Sequence, residues 1–172
     1  MKKVSQLTTK KLAIAAIMIA LEVVLSRFLS INLPSIKIGF AFIPIMLLGY
    51  LFGPIYSTAA AVVADLIGAL LFPSGAFFPG FTFSAALVGL VYGLCLYKKC
   101  TVPRIIIAVV VRRVAVGQLL DTLWISMLYG TPYKELFITR LVQTAVMIVV
   151  EFIVAYLLIY KANLAEKLKL KS

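Results

Sequence analysis

The chain contains no histidine and only two cysteines, Cys95 and Cys100, on either side of Lys98-Lys99. That removes the commonest general base and leaves no ligand set for zinc, because there is no second cysteine pair. The two thiols read as reduced groups at a helix end. Acids are scarce as well, with 6 Asp+Glu against 17 Lys+Arg in 172 residues. No two carboxylates share one helical turn, so an integral-membrane enzyme built on an acid–base pair lacks its working parts. Charged residues of both signs make up 13% of the chain, where an ordinary soluble domain has roughly a quarter. No polar stretch is long enough for a soluble catalytic or ATP-binding domain. Low-complexity segments and a convincing internal repeat are absent. A cleavable signal peptide is not expected, because the first apolar run, from about Leu12 to Leu29, exceeds a usual signal core and no small-residue cleavage site follows it.

Apolar residues are what the chain has, at 63% of the total and a mean hydropathy of +1.11. A water-soluble globular enzyme is excluded, and so is disorder, since there is ample apolar surface to offset chain entropy. A spanning helix takes roughly 20 residues, so about six to eight spans would use the whole length. The turn and charge signals give six. They run from about Leu12 to Leu29, Ile38 to Phe52, Ile55 to Phe72, Phe83 to Tyr97, Ile105 to Leu128 and Phe137 to Tyr160. Asn32-Leu33-Pro34-Ser35 breaks the chain after the first span, and Gly53-Pro54 turns it after the second. The segment 73–82, Pro-Ser-Gly-Ala-Phe-Phe-Pro-Gly-Phe-Thr, reads as an uncharged loop with three phenylalanines. The expected fold is an all-α integral membrane bundle of six transmembrane helices, one domain over residues 1–172.

The net charge of +11 would suggest nucleic acid in a soluble protein. Here no RNA-binding motif or aromatic–basic interleaving appears outside the apolar runs, so no nucleic-acid partner is expected. The basic residues instead flank spans and orient them in the lipid bilayer. With the N-terminus inside, the cytoplasmic side receives eleven of them: Lys2, Lys3, Lys10, Lys11, Lys98, Lys99, Arg104, Lys161, Lys167, Lys169 and Lys171. The outer side receives two, Lys37 and Lys134. Both chain ends are therefore expected in the cytoplasm, and the loop 73–82 outside.

Ionisable side chains within apolar runs cost roughly 2.5–3.5 kcal/mol each on insertion, so they should pair or line a cavity. There are eight: Arg27, Arg112, Arg113, Arg140, Glu22, Asp65, Asp121 and Glu151. Asp65 falls about 15 Å from the inner face and Arg112 and Arg113 about 12–13 Å, which predicts an ion pair between spans three and five. Glu151 falls near the cytoplasmic headgroups. In the outer half, Arg27 and Asp121 fall ~24–25 Å from the inner face and Arg140 ~9 Å below the outer one, so all three share a level. Gln143 lies one turn deeper than Arg140. Trp124 lies a turn above Asp121, with Tyr129 above that. One Arg and one Asp would merely staple helices. Two Arg for one Asp leave a positive surplus suited to an anion, and flat aromatic walls suit a flat heterocycle. No metal and no cofactor are expected.

Small residues recur at four-residue spacing: Ala16 and Ala20, Gly49 and Gly53, Ala60, Ala64 and Gly68, and Ala85, Gly89 and Gly93. Such stripes let helix backbones approach closely. For spans three and four the expected use is internal packing. A chain with no ATP site must take its energy from elsewhere, so another stripe could dock a partner.

Three runs carry a family resemblance. Val24-Leu25-Ser26-Arg27-Phe28-Leu29-Ser30-Ile31 looks like the first-helix signature of folate-family S components of ECF (energy-coupling factor) vitamin transporters. Leu71–Thr82 is similar to that family's third loop, and Thr122-Leu123-Trp124-Ile125-Ser126-Met127-Leu128-Tyr129-Gly130 resembles the end of its fifth helix. The resemblance implies a plasma-membrane protein that is not itself an enzyme. It would capture folate or a related vitamin from outside and work with a transmembrane T component and two ABC ATPases. It would deliver its cargo by tipping in the membrane, and loops at the outer side would act as lids. Ala16 and Ala20 match the small residues that meet the T component in that family. On this reading Arg27 and Arg140 neutralise the glutamate carboxylates or orient the ligand, and Asp121 and Gln143 bond the pterin edge. Trp124, Phe77, Phe78 and Phe81 cover the rings beneath Tyr129, and Pro79 and Gly80 shape the lid. Asp121 stands where the family more often has an amide, Gln143 where a Lys-Asn pair was expected nearby, and Arg112-Arg113 is a further departure. An S component for another vitamin such as pantothenate is the alternative within the family. An autonomous carrier would show itself by uptake without ATPase subunits.

Overall fold

The computed structural model describes residues 2–32, 37–73, 75–98 and 100–161. Leu33-Pro34-Ser35, Ser74, Lys99 and the tail lysines Lys167, Lys169 and Lys171 lie outside the described residues. Six helical rods make up the described chain. They are α1 (Lys2–Arg27), α2 (Phe42–Phe52), α3 (Pro54–Leu71), α4 (Pro79–Leu96), a composite fifth rod, and α7 (Tyr133–Tyr156), which runs on into a short π-helical turn (Leu157–Lys161). The fifth rod is α5 (Val102–Val111), a π-helical run (Arg112–Leu120) and α6 (Asp121–Tyr129) in unbroken succession. Between α1 and α2, Ile31 pairs with Ile38 and Asn32 with Lys37 in a two-residue antiparallel ladder. Among the described residues α3, α4 and Tyr133–Ile159 are long and apolar enough to cross a membrane, and α2 is a shorter apolar helix.

The turns follow from their residues. Gly53 takes φ 87°, a left-handed conformation open to glycine, and its N–H caps α2 on the Gly49 carbonyl at 3.1 Å. Pro54 then opens α3, where its missing N–H costs nothing. Pro79 opens α4 in the same way. The uncharged loop expected over 73–82 is therefore shorter: Pro79, Gly80, Phe81 and Thr82 form the first turn of α4. A proline at the first helical position reads as a loop residue when only composition is considered.

The tightest seam joins α3 and α4. A Cβ on Gly89 would stand 2.5 Å from the Ser57 carbonyl oxygen, and one on Gly93 would overlap Pro54. The close approach lets the Ser57 hydroxyl donate to the Gly89 carbonyl at 2.7 Å. The small-residue stripes of these two helices are thus used internally. The solid core, with Met46, Leu48, Tyr92, Leu96, Ile105 and Ala155 buried in it, fills the end of the bundle where α4 gives way to α5. The opposite end is left hollow.

Candidate functional site

The hollow end is roofed by aromatics. Phe78 precedes α4 in extended backbone, and its ring stands against Trp124 at 5.7 Å and against Phe81 at 6.2 Å. Gly80 lies beneath them, where a Cβ would come within 2.6 Å of both the Phe78 and Trp124 rings. The Trp124 indole N–H donates to the Ser84 hydroxyl at 3.1 Å, and Ser84 lines the same cavity as Asp121. The roof is thereby tied to the cavity wall.

Below it lie two adjoining cavities, of about 140 Å³ and 220 Å³; ligand pockets begin at roughly 300 Å³, so the two together are of the right order. Both are lined by Ala41, Phe42, Val88, Arg112 and Asp121. The first adds Arg113, Arg140, Gln143 and Thr144, and the second adds Glu22, Ser26, Asp65, Phe81 and Ser84. Arg140 is 9% exposed and donates to the Thr122 hydroxyl at 3.2 Å. Its Nε and the Asp121 Oδ1 have no hydrogen-bond partner among the described residues. Such atoms need polar company, which a bound molecule can supply.

The ion pairing differs from the sequence expectation. Arg112 and Arg113 pair with Glu151, not with Asp65. The Glu151 carboxylate is fully buried and also accepts from the Tyr92 hydroxyl, so its placement at the headgroups is overturned as well. Asp65 instead accepts from Thr82 at 2.8 Å. Depth along a straight helix matched residues by level only. It took no account of azimuth, and α7 faces the π-helical run while α3 faces α4. Among the described residues, no cluster of His, Cys, Asp or Glu could hold a metal ion.

Comparison with known proteins fixes the family. The family described as ECF transporter, substrate-specific component matches residues 10–159. The chain belongs to this family of S components. It is 44% identical to the folate transporter FolT of Clostridium novyi (strain NT) over 142 residues, 82% of this chain and 83% of that one. It is 32% identical to the folate transporter FolT of Leuconostoc mesenteroides over 161 residues, covering 90% and 86%. A crystal structure of FolT bound with folic acid superposes with a TM-score of 0.83 at 38% identity, covering 87% of this chain and 92% of that one. The protein is thus a multi-pass membrane transport component.

Within this S component the expected site residues divide into two groups. Asp121, Arg140 and Gln143 line the cavities, Phe81 lines one of them, and Phe78, Gly80 and Trp124 build the roof, with Pro79 opening α4 between Phe78 and Gly80. Arg27 lines neither cavity; its guanidinium lies over Gly68, where a Cβ would meet it at 2.6 Å. Phe77 and Tyr129 are exposed, with the Tyr129 hydroxyl near Gly75. Ala16 and Ala20 are exposed on the outer face of α1, beside exposed Ile17, Leu21 and Val24. Sequence reasoning missed Ser84 and Tyr92, and it missed Glu22, Asp65, Arg112 and Arg113 as cavity residues. The signal for the last four was present, because an acid or arginine in an apolar run asks for a cavity as often as for a mate.

Proposed function

We propose that this S component binds folate at the outer face and delivers it inward in partnership with a T component and two ABC ATPases, tipping in the plasma membrane as it does so. The observation that carries the reading is the Trp124–Ser84 hydrogen bond above the cavity that Ser84 shares with Asp121. It hangs a flat aromatic roof of Phe78, Phe81 and Trp124 over a hollow lined by polar groups. That arrangement suits a ligand with planar rings and a polar rim. The two folate transporters named above, and the separate FolT structure bound with folic acid, support the same substrate.

Asp121, Gln143 and Arg140 contact the ligand from the cavity wall. Phe77 and Tyr129, at the exposed rim, and the Pro79–Gly80 turn act as the lid. Arg27 supports the wall from behind Gly68. With six spans, both ends of the single domain 1–172 lie on one side, and the excess of basic residues there assigns it to the cytoplasm. The open alanine face of α1 around Ala16 and Ala20 receives the T component, since small residues let a partner helix come close. ATP is hydrolysed by the partners.

Isothermal titration of the purified chain against a panel of vitamins tests the reading. Folate should bind tightly and pantothenate should not, with a loss of about tenfold or more on Trp124→Ala from the missing aromatic cover. Tight binding of a different vitamin, with none of folate, would reassign the cargo while leaving the family intact.

A further inference from the structure

The two cavities that meet at Arg112 and Asp121 carry opposite signs. Towards the π-helical run and α7, the groups are Arg112, Arg113 and Arg140 against Asp121, with Glu151 behind the wall. Towards α1 and α3 they are Glu22 and Asp65, with Arg27 packed over Gly68 nearby. Three guanidinium groups face two carboxylates on the first side, and two carboxylates face one guanidinium on the second. A positive surplus therefore looks across the hollow at a negative one, in a low-dielectric setting that strengthens both fields.

The positive side is also short of acceptors. The Arg112 and Arg113 side chains remain 20% and 12% exposed while Glu151 is sealed at 0%, so part of each guanidinium fork is left for the cavity. Arg140, buried to nine-tenths, has its Nε unpartnered among the described residues. A purely structural ion pair would need one arginine for Glu151, and here there are two.

We propose that this polarity fixes which way the substrate lies. Its anionic group is received by Arg112, Arg113 and Arg140, and the hydrogen-bond-donating edge of its ring rests against Asp65 and Glu22. The proposal rests on the folate reading, because folate carries its carboxylates at one end and an aminopyrimidine edge at the other. Glu151 and Tyr92 are then positioning residues: they hold the two guanidinium forks without touching the ligand. The Arg112-Arg113 pair becomes the determinant of selectivity for anionic cargo.

The test is equilibrium binding to the full chain in lipid nanodiscs, using folate, its dimethyl ester and 6-methylpterin, which is the ring without the tail. The unaltered protein should prefer folate over the diester by about tenfold or more, the scale of a charge-assisted contact. Arg113→Gln should cut that preference to about threefold or less and change 6-methylpterin binding by less than about twofold. Asp65→Asn should weaken all three ligands by a similar factor. Equal affinity of the unaltered protein for folate and its diester would overturn the proposal and leave the folate reading standing, and it requires no variant to fold. Equal loss of all three ligands in Arg113→Gln would overturn it too. An unaltered chain that bound none of the three would sink both.

Discussion

Arg112 donates to Glu151 across 2.8 Å, joining the π-helical run of the fifth rod to α7. Arg113 and Tyr92 converge on the same carboxylate, so one fully buried acid of α7 satisfies donors from two other rods. Removing one member of a buried charge pair costs about 3–5 kcal/mol, because the remaining charge is left uncompensated. Glu151→Ala should therefore lower the melting temperature in detergent sharply. Tyr92→Phe removes only a neutral donor and should cost about 1–3 kcal/mol. If the two variants melt alike, and close to the unaltered chain, this junction does not hold the bundle together.

The helix count and the gathering of Phe78, Phe81 and Trp124 were legible in the sequence. Runs of apolar residues separated by Gly-Pro and Lys-Lys turns leave little freedom over where rods begin and end, and the ionisable Asp121 and Arg140, at one level with Trp124 a turn above Asp121, had to face inward to avoid the cost of lipid exposure. The partner of Arg112 was not legible. Levels can be counted along a rod, but rotation about its axis cannot be once the repeat changes. The nine residues of Arg112–Leu120 are π-helical, with Asp121 N–H reaching back to the Val116 carbonyl. Each such turn shifts the following side chains around the axis relative to a 3.6-residue repeat. Nothing in Arg-Arg-Val-Ala-Val-Gly-Gln-Leu-Leu announces that change, and it puts Arg112 and Asp121 into the same two cavities.

The α3–α4 seam predicts a contrast among glycines. Gly89→Ala and Gly93→Ala each push a methyl into the backbone of α3, which cannot yield without the helices parting. The expected penalty is about 1–3 kcal/mol by overpacking, visible as lost monodispersity and a lower melting point. Gly117, on the cavity side of the π-helical run, has its nearest neighbour at 3.7 Å, the Arg112 carbonyl. Gly117→Ala should stay within about 0.5 kcal/mol of the unaltered chain. Similar melting for all three variants would mean that the rods are looser than this seam requires.

Gly80 sits under rings, not backbone. A methyl there meets the Phe78 and Trp124 rings at 2.6 Å, and these can swing aside at the expense of the roof. Gly80→Ala should leave melting near normal while weakening ligand binding by about tenfold, the worth of an aromatic contact or two. Ser84→Ala, which removes the hydroxyl that accepts from the Trp124 indole, should act in the same direction. A variant that binds as well as the unaltered chain but melts much lower would make the Phe78–Trp124 stack a packing feature only.

Cys100 lies in the connector between α4 and α5, and burial raises its thiol to about 11 even though the Arg104 guanidinium pulls the other way. The sign has two consequences. The folded chain holds the proton more tightly than the usual thiol value of 9.0, so this group favours the folded state fully below about pH 9 and loses that contribution as pH rises through about 11. Alkylation needs the thiolate, whose share at pH 7 is on the order of one in ten thousand for such a group. In a Cys95→Ser background, maleimide labelling should climb about tenfold per pH unit from pH 7 to 10, with no plateau in that range. Arg104→Gln removes an opposing charge and should slow labelling further at every pH. A plateau near pH 8 to 9 would show an ordinary solvated thiol and a connector standing clear of the helix ends.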